Sequence, residues 1–259
     1  MSAFFNISEI LGTDKLRQVV RLGLVFFSLA LGLRAEEAKE RPYVSEEISE
    51  QLGKIRPLFE EKKWDEALVI IDKVYSKAKP ESYDQAILLN TKVQVYLNKN
   101  EFAKAIPCME EALQISQKHG YFEGKAEIEL TYLLAQLYYS EGVAPGRKAA
   151  EQREYFFKAM SHMERWDQLN SKPSADALQF YGSLAYNIAQ SYGESAANKE
   201  LKAKYIKQAQ VLANRGVQSV IRPKESFYML LVACAQEMGD YAQMSEYLEL
   251  LVTQYPTNS

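Results

Sequence analysis

Residues 96–105 read Tyr96-Leu97-Asn98-Lys99-Asn100-Glu101-Phe102-Ala103-Lys104-Ala105. Ahead of them apolar residues recur at helical spacing. Asn98 to Glu101 interrupt that pattern, and Phe102 then opens a second amphipathic run with Ala105 as a small residue one turn in. The same punctuation occurs twice more. Lys63-Trp64-Asp65-Glu66-Ala67 opens a run through Ile71 to Val74, and Gly239-Asp240-Tyr241-Ala242 opens one through Leu248. Trp64 lies 38 residues before Phe102, as Ala67 does before Ala105. Self-similarity at such a period marks stacked helical units, none of which can bury its apolar stripe alone.

From about Glu46 onward the 3.6-residue period dominates and no alternating strand pattern persists. In the middle, Leu134-Ala135-Gln136-Leu137-Tyr138 and Ile188-Ala189-Gln190-Ser191-Tyr192 repeat one core pattern 54 residues apart, so these units carry longer helices or loops. Gly142 to Gly146, with Pro145, marks a widened turn. Long second helices follow over about 148–169 and 199–220, with Ala159 and Ala209 as their small residues. Pro80, Pro173, Pro223 and Pro256 each fall just past a predicted second helix, where the chain must stop before the next unit. Pro57 is expected to kink or delay the first helix. The result is an all-α chain of about five helix pairs. Composition agrees: 47% hydrophobic residues exclude a disordered chain, and 12 Gly with 8 Pro leave few breakers. A net charge of −3 offers no basic face for phosphates, so nucleic acid is not an expected partner.

With these residues in place, the chain resembles the tetratricopeptide-repeat family over about residues 46–258. The family's unit pairs two helices around a Gly-Asp-Tyr turn, with small residues at fixed places and a proline near its end. The last unit here matches with Leu231, Gly239-Asp240-Tyr241, Leu248 and Pro256, and the second with Tyr96, Asn100, Phe102, Ala105 and Ala112. Met244 and Leu251 replace the family's Ala in the last unit, which loosens the expected packing there. The resemblance implies an α-α superhelix that binds protein or peptide on the concave face of its first helices. It places Asn90 and Gln94, Tyr132 and Gln136, and Tyr186 and Gln190 on that face, an i, i+4 pair on each of three successive helices. Such a ladder grips a peptide backbone through its amides while the Tyr rings cover side chains. The competing expectation is that these residues pack against the next repeat. The Lys/Arg/Asn clusters by which relatives capture carboxylate tails are absent from these positions, Asn90 excepted.

The N-terminus carries a different message. Lys15, Arg17 and Arg21 precede an apolar run from Leu22 to Leu33, followed by Arg34-Ala35 and then Glu36-Glu37. About twelve apolar residues make the length of a signal-peptide core and fall short of a membrane span. Residues 1–35 are therefore expected to be an export signal, 36–47 a flexible leader, and 48–258 the repeat domain, periplasmic or extracellular, with no membrane span once the signal is cleaved. A retained anchor, or an amphipathic helix docked on a cytoplasmic solenoid, are the alternatives.

Chemistry is not expected. His119 and His162 have no metal-ligand partner at helical spacing. Cys108 and Cys234 sit among apolar positions as ordinary small core residues, and no phosphate loop or nucleophile motif occurs. No catalytic residue, metal or cofactor is expected, and a second copy joined through the solenoid ends is a further candidate partner. The rival class is an enzyme or enzyme subunit acting in the envelope on polysaccharide, its active site built on the solenoid.

Overall fold

The structure, a computed structural model, describes residues 42–122, 124–193 and 195–256. The expected signal, residues 1–35, and the first half of the leader, 36–41, lie outside them. Ten α-helices occupy the described chain: α1 Glu46–Glu60, α2 Trp64–Tyr75, α3 Tyr83–Asn98, α4 Phe102–His119, α5 Lys125–Gly142, α6 Ala149–Leu169, α7 Ala175–Ser191, α8 Lys199–Gln218, α9 Glu225–Met238 and α10 Tyr241–Gln254. Among the described residues there is no strand. The chain forms two compact units, divided within α5 after Leu137.

The turns that punctuate the sequence share one geometry. Lys62, Asn100 and Gly239 have φ of 57°, 58° and 70°, in the left-handed region. The following amide returns five residues: Lys63 N–H to the Leu58 carbonyl at 2.8 Å, Glu101 to Tyr96 at 2.8 Å, and Asp240 to Ala235 at 2.9 Å. This is the Schellman closure, which satisfies carbonyls that a helix end would leave orphaned. The aromatic residue after it, Trp64, Phe102 or Tyr241, is the first residue of the next helix. Asn and Gly tolerate this backbone best; Lys62 adopts it with a Cβ in place.

In the N-terminal unit, Ile48 and Ile55 of α1 meet Ala67, Ile71 and Val74 of α2 and Leu88 and Val95 of α3 in one buried cluster. Phe59 and Trp64 close the α1–α2 turn edge to face at 5.2 Å. Pro57 neither delays nor ends α1. It sits in the last turn, eleven residues past the helix start, and its carbonyl accepts the Glu61 amide at 2.9 Å. Its missing N–H removes one bond to the preceding turn, and α1 still runs on to Glu60. Between α2, α3 and α4, Tyr75 donates to Glu111 at 2.9 Å, and Gln85 donates to the Tyr75 hydroxyl at 3.0 Å.

In the C-terminal unit, α7 is the buried axis. From Ala177 to Ala189 every residue except Asn187 is buried, polar Gln179 and Ser183 included. Close approach of α8 and α9 depends on small residues: Ala185, Ala189, Ala209, Ala213 and Ala235 are fully covered. Asp167 of α6 and Arg215 of α8 pair bidentately at 2.8 Å. Helices α5, α7 and α9 begin 50 residues apart, at Lys125, Ala175 and Glu225, and so do α6 and α8. The 54-residue match in the sequence is thus offset from the structural period by four residues. A four-residue slip is about one helical turn and keeps the same face, which is why the pattern matches in both registers.

Two glycines inside helices separate propensity from packing. Gly53 of α1 has open space around a Cβ, whereas a Cβ on Gly216 of α8 would stand 2.0 Å from the Phe227 ring. Gly53→Ala should stabilise by about 0.5–1 kcal/mol. Gly216→Ala should destabilise by roughly 1–3 kcal/mol despite the better helix former. Thermal melts followed by circular dichroism check both, and shifts of the same sign in the two variants would contradict this packing.

Candidate partner-binding surfaces

The six ladder residues divide between the units. Asn90, Gln94, Tyr132 and Gln136 belong to the N-terminal unit, Tyr186 and Gln190 to the C-terminal one. Asn90, Gln136 and Tyr186 are buried, at 7%, 5% and 6% exposure. Gln94, Tyr132 and Gln190 are half-buried. None of the six is exposed, so an open polar ladder on three successive helices is not what the packing presents.

The reason is plainest on α7. Gln190 donates to the Glu237 carboxylate of α9 at 2.8 Å, and Lys202 of α8 reaches the same carboxylate at 2.8 Å. Burial raises the Tyr186 phenol above its ordinary range, with the Glu237 charge adding to it. The Tyr–amide pair is thus engaged with the next helix pair, 47 residues further along. Asn187 does the same in the other direction, donating to the Tyr139 hydroxyl at 3.1 Å. These partners come from other helices, which the spacing within α7 does not reveal.

The histidines and cysteines have structural surroundings. His119 stacks on Tyr121 with ring centres 5.3 Å apart, and its Nε2 lies 3.6 Å from Glu81. His162 lies nearly parallel to Tyr138 at 5.5 Å. Both cysteines are free, and burial pushes the Cys234 thiol up to about 12, so it stays protonated at neutral pH. Among the described residues no group of three or more His, Cys, Asp or Glu side chains is placed to hold a metal ion.

The open apolar surface lies on α10, which has no buried residue. Its inward side sets Met244, Tyr247 and Leu251 half-buried. Along one flank Tyr241, Leu248 and Val252 are 70%, 40% and 74% exposed, spaced by seven and then four residues. The helix carries Glu246 and Glu249 and no Lys, Arg or His. The substitutions at Met244 and Leu251 point to loose packing in this unit, but nothing in the sequence singles out the flank.

No family model matches the chain, and no curated protein matches it. Similar solved structures include a Podosopora anserina protein with nearly identical TPR-like repeats, at 14% identity and TM-score 0.43, covering 82% of this chain and 98% of that one. BtubC from P. vanneervenii aligns at 16% identity and TM-score 0.44, covering 77% and 76%. A thermophilic TPR protein of Thermus thermophilus aligns at 13% identity and TM-score 0.37, covering 82% and 93%. Likeness at this level says nothing of partner or activity. The class, an all-α array of paired helices, rests on the helices and turns described above.

Tyr186→Ala should cost about 3–5 kcal/mol, the range for emptying a large aromatic site, whereas Tyr186→Phe should cost no more than about 1.5 kcal/mol. Denaturant unfolding of the two variants measures this. A Tyr186→Ala protein as stable as the parent would return the residue to an open face.

Proposed function

We propose that this chain is a non-catalytic scaffold of the tetratricopeptide-like kind, holding a protein or peptide partner in the periplasm or outside the cell. The binding role is carried by the α10 flank, where Tyr241, Leu248 and Val252 offer a contiguous apolar stripe to solvent. An amphipathic helix with a basic edge is the occupant that fits. Its apolar side meets the stripe, and its cations meet Glu246 and Glu249, which no basic residue of α10 offsets. Export is supported by the N-terminal sequence, in which a basic flank at Lys15, Arg17 and Arg21 leads into the apolar run and then Ala35. Among the described residues no helix is long and apolar enough to cross a membrane.

Leu248→Asp combined with Val252→Asp tests the binding role, since both positions are exposed. The variant should keep its melting temperature within about 2 °C and lose site-specific photocross-links from α10 to a partner in envelope extract. Cross-links that persist in the variant would overturn the reading. A dimer in sedimentation that the same substitutions dissociate would replace the foreign helix with a second copy. N-terminal sequencing of protein from its native source addresses export: a start at Glu36 is expected, and an intact Met1 would remove it.

A further inference from the structure

Most large rings of the C-terminal unit lie in its core, Phe156, Phe180 and Phe227 among them. Three others gather outside it. Phe157 of α6, Tyr192 just past α7 and Tyr205 of α8 are each half-buried, with rims open to solvent. Their ring centres are 6.4 Å apart for Phe157–Tyr192, 6.0 Å for Phe157–Tyr205 and 6.2 Å for Tyr192–Tyr205. Rings from three separate elements meeting this evenly form a built ledge.

Two cations are fixed on the ledge. The Arg153 guanidinium lies 5.2 Å over the Tyr192 ring and donates to the Ser191 carbonyl at 3.1 Å, and the Lys204 ammonium lies 5.4 Å over Tyr205. Neither makes an ion pair among the described residues. Of the other cations over rings, Lys92, Lys104 and Arg147 each have their own carboxylate, at 2.6, 2.8 and 2.5 Å, whereas Lys158, 5.3 Å over Tyr138, has none among the described residues. The start of α8 around Tyr205, KELKAKYIK, carries four Lys against one Glu. Burial raises the Tyr205 phenol above its ordinary range, with Tyr192 and then Glu164 of α6 adding to it. In a chain of net charge −3 the ledge is a local basic and aromatic surface.

We propose that the ledge formed by Phe157, Tyr192 and Tyr205, with Arg153 and Lys204, docks an acidic peptide segment that carries an aromatic side chain. Carboxylates of the segment take the two uncompensated cations, Arg153 in the two-pronged manner that its planar fork favours. The aromatic side chain lies against the exposed ring rims, a composition enriched where binding energy concentrates. The proposal rests on the reading of the chain as a peptide-binding scaffold. It does not rest on the α10 flank, whose expected occupant is basic.

Fluorescence anisotropy of a labelled Glu–Tyr copolymer titrated with the full chain tests it, with poly-Glu and a Lys–Tyr copolymer as comparisons. The Glu–Tyr copolymer should bind more tightly than either, and binding should weaken as salt rises from about 50 to 300 mM. Arg153→Glu with Lys204→Glu should weaken it by at least about tenfold, and Tyr205→Ala should weaken it as well. Should the double variant fail to fold, exposed Lys204→Glu alone provides the reading. Leu248→Asp with Val252→Asp should leave this binding unchanged, so loss of the α10 role and loss of the ledge are seen separately. Absence of binding, equal binding of the Lys–Tyr copolymer, or indifference to charge reversal would overturn the proposal.

Discussion

A single backbone constraint recurs at three of the five handovers from a first helix to its second, α1 to α2, α3 to α4 and α9 to α10. One residue enters the left-handed region, and the next amide returns to a carbonyl five residues back, as at Lys62-Lys63, Asn100-Glu101 and Gly239-Asp240. The turn ends one helix, leaves no room for a longer loop, and starts the next on an aromatic residue. Packing follows from this. Two helices joined so tightly must lie against one another, and their apolar stripes then face the adjoining helices within the unit. The buried cluster that holds Ile71 of α2 and Leu88 of α3 together is a consequence of that arrangement.

The same arrangement consumes polar groups. Polar side chains of α7 find partners on neighbouring helices: Gln190 with Glu237 and Gln179 with the Ser226 carbonyl, both of α9, and Asn187 with Tyr139 of α5. Leaving a buried polar group without a partner is costly, so these contacts tie α7 to its neighbours. Two surfaces proposed for partners remain open among the described residues. One is the α10 flank and the other the ring ledge of Phe157, Tyr192 and Tyr205. Their chemistries are opposed, one apolar with acidic edges, the other aromatic and basic.

Much of the fold is legible in the sequence because its determinants are local. The breaker–aromatic–small punctuation at Asn100 to Ala105 reflects backbone and capping preferences of adjacent residues, and Pro80, Pro173 and Pro223 keep the linkers after α2, α6 and α8 out of the helix by their own covalent geometry. Residues such as Ala105 and Ala189, expected to let helices approach, are fully covered. Pro57 does not end its helix as its residue type suggests, since the chain continues helical to Glu60. The repeat length in the longer pairs differs by four residues from the sequence match, because helical patterning is nearly unchanged by a slip of one turn.

The candidate site is less legible. The face on which Tyr186 and Gln190 lie follows from spacing, but whether that face meets solvent depends on residues 47 positions away, and no periodicity within α7 encodes their approach. The ledge has the same character: Phe157, Tyr192 and Tyr205 are ordinary aromatics in three separate helical stretches and become neighbours only when those stretches pack. The amino-acid sequence by itself determined the helices, their pairing and the turns between them, since hydrogen bonding and sterics within a few residues decide these. Which side chains are buried and which remain free for a partner was decided by tertiary structure alone, because exposure is a property of the neighbours that packing brings together.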